Sequence, residues 1–348
     1  MTHSNLKKKL SVFVFIVINL LLLTSCKTKS EEKPQTKESI EKVSSSQNIK
    51  FTYQEITGIG KDSLYNRRDN SDVVKVGDTY YVWYSKMVSP TISGYWATIW
   101  YATSKDKGYT WQEQGMALDI GEEVGFDDHS VFTPNILEYH GKYYMYYTGV
   151  KPTSGNKKGE FENNSKNDIT AIGLAVSNTP DGPFVRVKNN PVLTISDVAE
   201  DFDSYRIDDA SLLVKEDKIW MYYKGRSLVY GNKGAHFTRM SVAIADSPEG
   251  PYAKQTKPLL DKSHEVLVWK TKEGISSLSS INHSISTASD GLNFKPHYQN
   301  LKKVPKAPGL FRPSLSDTNS FDELPNWGIA MIQKKGVAYL LRFEITAE

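Results

Sequence analysis

The sequence predicts an all-β chain folded as a five-bladed β-propeller, and three observations predict it. From Phe51 onward no stretch has the apolar spacing of a long amphipathic helix. Short runs of β-branched and aromatic residues recur instead, each bounded by Gly, Asp, Asn or Pro. Those runs repeat as strand, tight turn, strand, loop, strand, turn and short strand. The repeat spacing of roughly 50–75 residues is the period of four-stranded blades. A sandwich or a double barrel is the competing arrangement.

The first unit is "SDVVKVGDTYYVWYSK" followed by "ATIWYATSKDKGYTWQEQG", and the second is "TPNILEYHGKYYMYYTG" followed by "TAIGLAVSNTPDGPFVRV". The third is "DDASLLVKEDKIWMYYKG" with "MSVAIADSPEGPYAKQ". A fourth, less regular, is "HEVLVWKTKEGISSLSS" with "HSISTASDGLNFKP", and a fifth closes the chain from Arg312. Turns fall at matching places in the units, at Gly77-Asp78, His140-Gly141 and Glu216-Asp217. The fifth unit is short of a strand, and Phe51–Ile56 is expected to supply it.

Ahead of the strands the chain reads differently. Residues 1–25 carry a basic start (Lys7–Lys9), an apolar stretch (Leu10–Leu23) and small residues before Cys26, the only cysteine. Leu23-Thr24-Ser25-Cys26 resembles a bacterial lipobox, so Cys26 is the expected lipidated first residue; an uncleaved membrane anchor is the alternative. Either reading puts the folded part outside the cytoplasm, on the bacterial cell envelope. Residues 26–48 are polar and charged, a disordered tether, and residues 49–348 are the expected folded domain. One cysteine rules out a disulfide within the chain and a thiolate metal cluster. With 43 basic and 40 acidic residues, and no basic stripe among the aromatics, nucleic acid is excluded as a partner. The 20 tyrosines and 7 tryptophans suit both strands and sugar-binding clefts.

In a propeller the innermost strands surround a channel, so residues at their starts meet at one mouth. Those positions read Arg67-Arg68-Asp69-Asn70-Ser71-Asp72, Asp127 to Asn135, Arg206-Ile207-Asp208-Asp209, Ser263-His264-Glu265 and Phe311-Arg312-Pro313. An aspartate before a strand commonly caps a turn, and a lone histidine is commonly a core or turn residue. The set matters more than its members. Carboxylates from three units meeting in one cleft are what glycosidic-bond hydrolysis needs, one to protonate the leaving oxygen and one to activate water or attack. Asp208 and Asp209 are adjacent, and neighbouring strand residues face opposite ways, so one of them is expected to be structural.

"RRDNSDVVKVGDTYYVWYSK", "SVFTPNILEYHGKYYMYYTGV", "FDSYRIDDASLLVKEDKIWMYYKGR" and "HEVLVWK" resemble glycoside hydrolase family 117, a relative of the five-bladed family 43 type. The resemblance implies an exo-acting, inverting α-1,3-(3,6-anhydro)-L-galactosidase acting on red-algal agar oligosaccharides. It implies Asp69 as general base, with Asn70 where the family has proline, and Asp72 as the alternate. Asp209 is implied as the modulating acid, with Asp208 as its alternate, and Glu265 or His264 as proton donor. Candidate substrate contacts are Arg206, Arg226, Arg312, Asp128, His129, Thr133, Trp96 and Trp327; the arginines suit sugar hydroxyls or sulfate groups. No cofactor is required. A divalent cation in or near the channel is an open expectation, with only scattered candidates such as His129 and His236. Rival readings are an arabinofuranosidase or xylosidase on the same scaffold, and a surface glycan-binding lipoprotein without catalysis. Oligomeric state is not legible.

Overall fold

The computed structural model describes residues 48–92, 96–152, 168–231, 233–313 and 324–347. The signal segment, Cys26 and all but the last residue of the tether lie outside the described residues. Antiparallel strands dominate, and the one helix lying wholly within the described residues is a 3-10 turn, Ala235–Phe237.

The strands group into consecutive antiparallel sets. The first runs Val73–Val76, Thr79–Val88, Thr98–Ser104 and Gln112–Leu118; the second runs Ser130–Tyr139, Lys142–Pro152, Asp168–Ser177 and Val185–Arg186. The third is Arg206–Lys215, Lys218–Arg226, Arg239–Ala245 and Ala253–Lys254, and the fourth is Leu267–Thr271, Gly274–Ser279, Ser284–Ala288 and Lys295–Tyr298. The last joins Lys306–Arg312, Trp327–Lys334 and Val337–Ala347 to the N-terminal strand Ile49–Glu55, whose register runs from Ile49 opposite Ala347 to Glu55 opposite Leu341. The expected closing strand therefore does pair with the chain's other end. A short parallel junction, Phe311 to Val73 and Arg312 to Val74, ties this last set to the first.

Local chemistry explains the hairpins. His140-Gly141 and Glu216-Asp217 turn at positive φ in both positions (51° and 75°, 54° and 56°), the geometry that matches the twist of the arms. The strands that follow are buried along almost their whole length: in Lys218–Arg226 every residue after Lys218 is buried. Both faces are covered by neighbouring sets, so these strands read as continuous apolar and aromatic runs rather than alternating ones.

The core is divided among the seams. Trp83 and Tyr81 of the first set pack with Met145 and Tyr147 of the second, and Tyr146 of the second with Met221 and Tyr223 of the third. Trp220 of the third meets Val268 of the fourth, Trp269 of the fourth meets Phe343 of the last, and Ile329 of the last meets Val82 of the first. The seams form a closed cycle.

A repeated Phe-Asp clamp holds two sets at one height. Asp127 accepts from Tyr147 Oη (2.8 Å) and Arg186 Nε (2.7 Å), while Asp203 accepts from Tyr223 Oη (2.9 Å) and Lys254 Nζ (2.6 Å). The preceding Phe126 and Phe202 lie against Gly149 and Gly225, where an added Cβ would come within 2.5 Å of each ring. That close approach is why "YYTG" and "YYKG" end in glycine.

Candidate active site

Each set contributes one residue in left-handed backbone to a common mouth: Asp69 (φ 47°), Thr133 (φ 48°), Asp209 (φ 52°), Glu265 (φ 62°) and Ala307 (φ 41°). Together with the residues that follow them, Asn70, Pro134, Ala210, Val266 and Pro308, they line one cleft of about 350 Å³. Thr133, Asp209 and Ala307 fall where the pairing register slips, between Phe132 and Asn135, Asp208 and Ser211, and Lys306 and Gly309. Such bulges re-aim a side chain out of the strand's alternation. Left-handed backbone costs an L-residue about 1–2 kcal/mol, so its recurrence at one level marks a built site.

A second cleft of about 380 Å³ adjoins the first and adds Arg68, Phe132, Arg206, Asp208, Lys224 and His264 to Asp69, Thr133, Asp209 and Glu265. Asp69 pairs with Arg68 Nε at 2.5 Å. Glu265 Oε2 accepts the Ala307 backbone N–H at 2.8 Å, which orients the carboxylate across a seam.

Lys224 is the hub of the third set, 2.9 Å from Asp208 Oδ1 and 2.6 Å from Asp209 Oδ2. Asp208 also binds Arg206 at 2.5 Å and is fully buried (0 % exposed). Burial pushes the Asp208 carboxyl up, but Arg206 and then Lys224 outweigh it and hold it well below the usual carboxylate range. Asp209 goes the other way: burial, opposed by Lys224 but reinforced by the charges of Asp208 and Asp69, pushes it up to about 7. Burial and then Lys224 keep the His264 imidazole well below its ordinary range, hence neutral at pH 7. His264 Nδ1 lies 3.4 Å from Thr238 Oγ1.

The structure brings Asp69, Asp209, Glu265, His264, Arg206 and Thr133 together and moves other candidates elsewhere. Asp72 is not a fallback base: it accepts from Leu310 N and Arg312 Nε, both at 2.7 Å, and lies in the core. Arg312 in turn is committed to Asp72 and to the Val268 carbonyl, so it clasps three sets rather than a sugar. The fifth unit's lip is Ala307-Pro308, not Phe311-Arg312-Pro313, because the slip before Gly309 puts the mouth further upstream. Trp327 is a core ring, stacked on Phe311 at 4.9 Å and covered by Arg342 at 4.6 Å, not a platform. Asp208 does not cap a turn; it sits within Arg206–Lys215 as a buried ion-pair partner. Asp128, His129 and Trp96 cluster outside both clefts: Asp128 accepts from Val124 N at 3.0 Å, and His129 lies 6.3 Å from the Trp96 ring. Arg226 is fully buried behind the wall.

Sequence reasoning passed over Lys224 and Arg68 as site residues. Lys224 was findable from strand period, which puts it on the same face as Arg226. Among the described residues no group of three or more His, Cys, Asp or Glu side chains is placed to hold a metal ion.

Three carboxylates at matching left-handed positions around one mouth, on a β-propeller, define a glycoside hydrolase. The model of glycosyl hydrolases family 43 matches residues 64–274, and the chain belongs to that family. It also resembles a family 117 glycoside hydrolase produced by the marine bacterium Zobellia galactanivorans, at 26 % identity and a TM-score of 0.72 over 86 % of this chain and 90 % of that one. An endo-arabinase from Bacteroides thetaiotaomicron (13 % identity, TM-score 0.54, 84 % and 98 % covered) shares the fold. So does a family 43 enzyme from Xanthomonas citri (13 %, 0.53, 83 % and 91 %). Comparison with curated proteins gives no match.

Proposed function

We propose that the chain is an exo-acting, inverting glycosidase that removes a terminal α-1,3-linked 3,6-anhydro-galactose from agar-derived oligosaccharides. The observation that carries the hydrolytic part is the convergence of Asp69, Asp209 and Glu265 in one cleft. The anhydro-sugar part rests on the sequence motifs and on the likeness to a family 117 enzyme. In this reading the closed cycle of seams is a five-bladed propeller.

Asp69, held by Arg68, takes a proton from water as the water attacks the anomeric carbon. Glu265 gives a proton to the departing oxygen; its Oε2 is tied to Ala307, leaving Oε1 to carry the proton. The neutral state of His264 supports Glu265 over His264 as donor. Asp209, beside both, sets the charge and orientation of the acid. The base and acid are expected about 6.5–9.5 Å apart, room for one water.

The family 43 match favours one second reading, an arabinofuranosidase or xylosidase on the same cleft. A panel of neoagarobiose and aryl α-L-arabinofuranosides and β-D-xylosides separates the two, and NMR of the first-formed anomer reports inversion. Turnover of neoagarobiose is the expected result; turnover of only the pentosides replaces the substrate assignment.

The envelope location belongs to the proposal as well. Lipid attachment at Cys26 predicts membrane-fraction recovery that Cys26→Ser abolishes.

A further inference from the structure

Arg226 ends a row of charges on one face of the third antiparallel set. Its partner across the hairpin is Arg206, and Lys224 faces Asp208 one step along. Arg206 and Lys224 share Asp208, and Lys224 also reaches Asp209. Arg226 has no part in this bonding. It is fully buried (0 % exposed), and its Nε, Nη1 and Nη2 have no hydrogen-bond partner among the described residues. Its guanidinium lies 5.1 Å from the Tyr205 ring.

A guanidinium carries five donors and no acceptor. Burying it without a partner is among the costlier arrangements a protein can hold, and an apolar side chain of similar length would fill the space more favourably. The nearby carboxylate, Asp208, is already engaged by Arg206 and Lys224. Three cations on one strand pair therefore face one fully ionic partner, and the third has every donor open.

We propose that Arg226, with Arg206 facing it, forms a binding site for a small anion directly behind the Arg206 wall of the catalytic cleft. The ligand class is a halide or an oxyanion, and the planar fork of a guanidinium matches an oxyanion at two points. Bound there, the anion satisfies Arg226 and offsets the positive field that Arg206, Lys224 and Arg226 direct at His264. A free ion and an anionic substituent on the sugar, a sulfate ester or a carboxylate, share this chemistry. Only the second source rests on the glycosidase reading.

The test is thermal unfolding of the purified protein at constant ionic strength, with chloride or sulfate replacing a bulky sulfonate. The wild type is expected to gain a few degrees in Tm, saturably. Arg226→Met is expected to show no gain, and to be at least as stable as wild type in the sulfonate buffer. Arg226→Lys, which keeps the charge and loses the fork, is expected to saturate at higher anion concentration. Calorimetry with galactose 6-sulfate, galacturonate and galactose separates the sources. Charged sugars binding the wild type but not Arg226→Met, with no response to free ions, assign the site to the substrate's own charge. Parallel salt responses in all three proteins, with the sugars binding wild type and Arg226→Met alike, overturn the proposal. The glycosidase reading is tested separately, on Asp69 and Glu265.

Discussion

Asp208 and Asp209 are neighbours in the chain that share one ammonium group, Lys224 at 2.9 and 2.6 Å, and they titrate in opposite directions. The register slip after Asp208 is what makes this possible. It takes Asp209 out of the strand's alternation, so that both side chains reach the same cation and line the same cleft. One carboxyl is kept ionised as a fixed charge, and the other is left able to exchange a proton near neutrality.

The first prediction is a pH dependence of stability. With its value raised to about 7, Asp209 is protonated in the folded protein where the unfolded chain has already ionised. The folded state then binds more protons, so Asp209 makes stability fall as pH rises from about 4 to 7. Asp208 has the opposite sign: its contribution is present above about pH 4 and is lost as pH falls towards its lowered value. Urea unfolding at a series of pH values checks this, and Asp209→Asn should flatten the decline between about pH 4 and 7.

Lys224→Met leaves the fully buried Asp208 with Arg206 alone and takes the ammonium from the part-buried Asp209. We expect a loss of about 3–5 kcal/mol in unfolding free energy, the usual cost of breaking a buried pair from one side. Arg226→Met, two residues on and on the same face, should cost nothing comparable, because Arg226 has no bonded partner to abandon. Denaturant midpoints of the two variants check the contrast.

Arg312 and Asp72 form a structural clasp at 2.7 Å, buried between sets and away from both clefts. Arg312→Ala and Asp72→Ala should each lower stability by about 3–5 kcal/mol, with a double variant well short of the sum. Hydrolysis by the fraction that remains folded should be close to wild type. Chemical unfolding and kcat/KM measured below the unfolding temperature check both halves.

Strand Ile49–Glu55 pairs along its length with Val337–Ala347 and buries Ile49 and Phe51. A chain starting at residue 48 should keep its Tm. One starting at residue 57 should lose more than about 5 °C, since it exposes a long strand edge as well as apolar surface.

Much of this architecture is legible in the sequence because its turns are local. Glu216-Asp217 and His140-Gly141 need only their own residue types to mark a hairpin, and five such units repeat them or their variants. The mouth is legible where it carries chemistry, at Asp69, Asp209 and Glu265. It is not legible at Ala307, which occupies the same left-handed position with nothing polar to reveal it. The slips defeat the rest. Counted from the Glu216-Asp217 turn, a regular hairpin sets Lys224 opposite Asp209 and Arg226 opposite Ile207. The bulge shifts the partners to Asp208 and Arg206, and no propensity rule predicts where a bulge falls. Trp327 and Arg312 are the residue types that bind sugars, but burial is decided by seams between sets far apart in the chain.

The central claim is that Asp69 and Glu265 act as base and acid of one hydrolytic site. It is tested most directly by steady-state hydrolysis of neoagarobiose by the wild type, Asp69→Asn and Glu265→Gln, each checked for a native Tm. A loss of about a thousandfold or more in kcat for both variants, with the fold intact, is the predicted result. Turnover undiminished in either variant would contradict it.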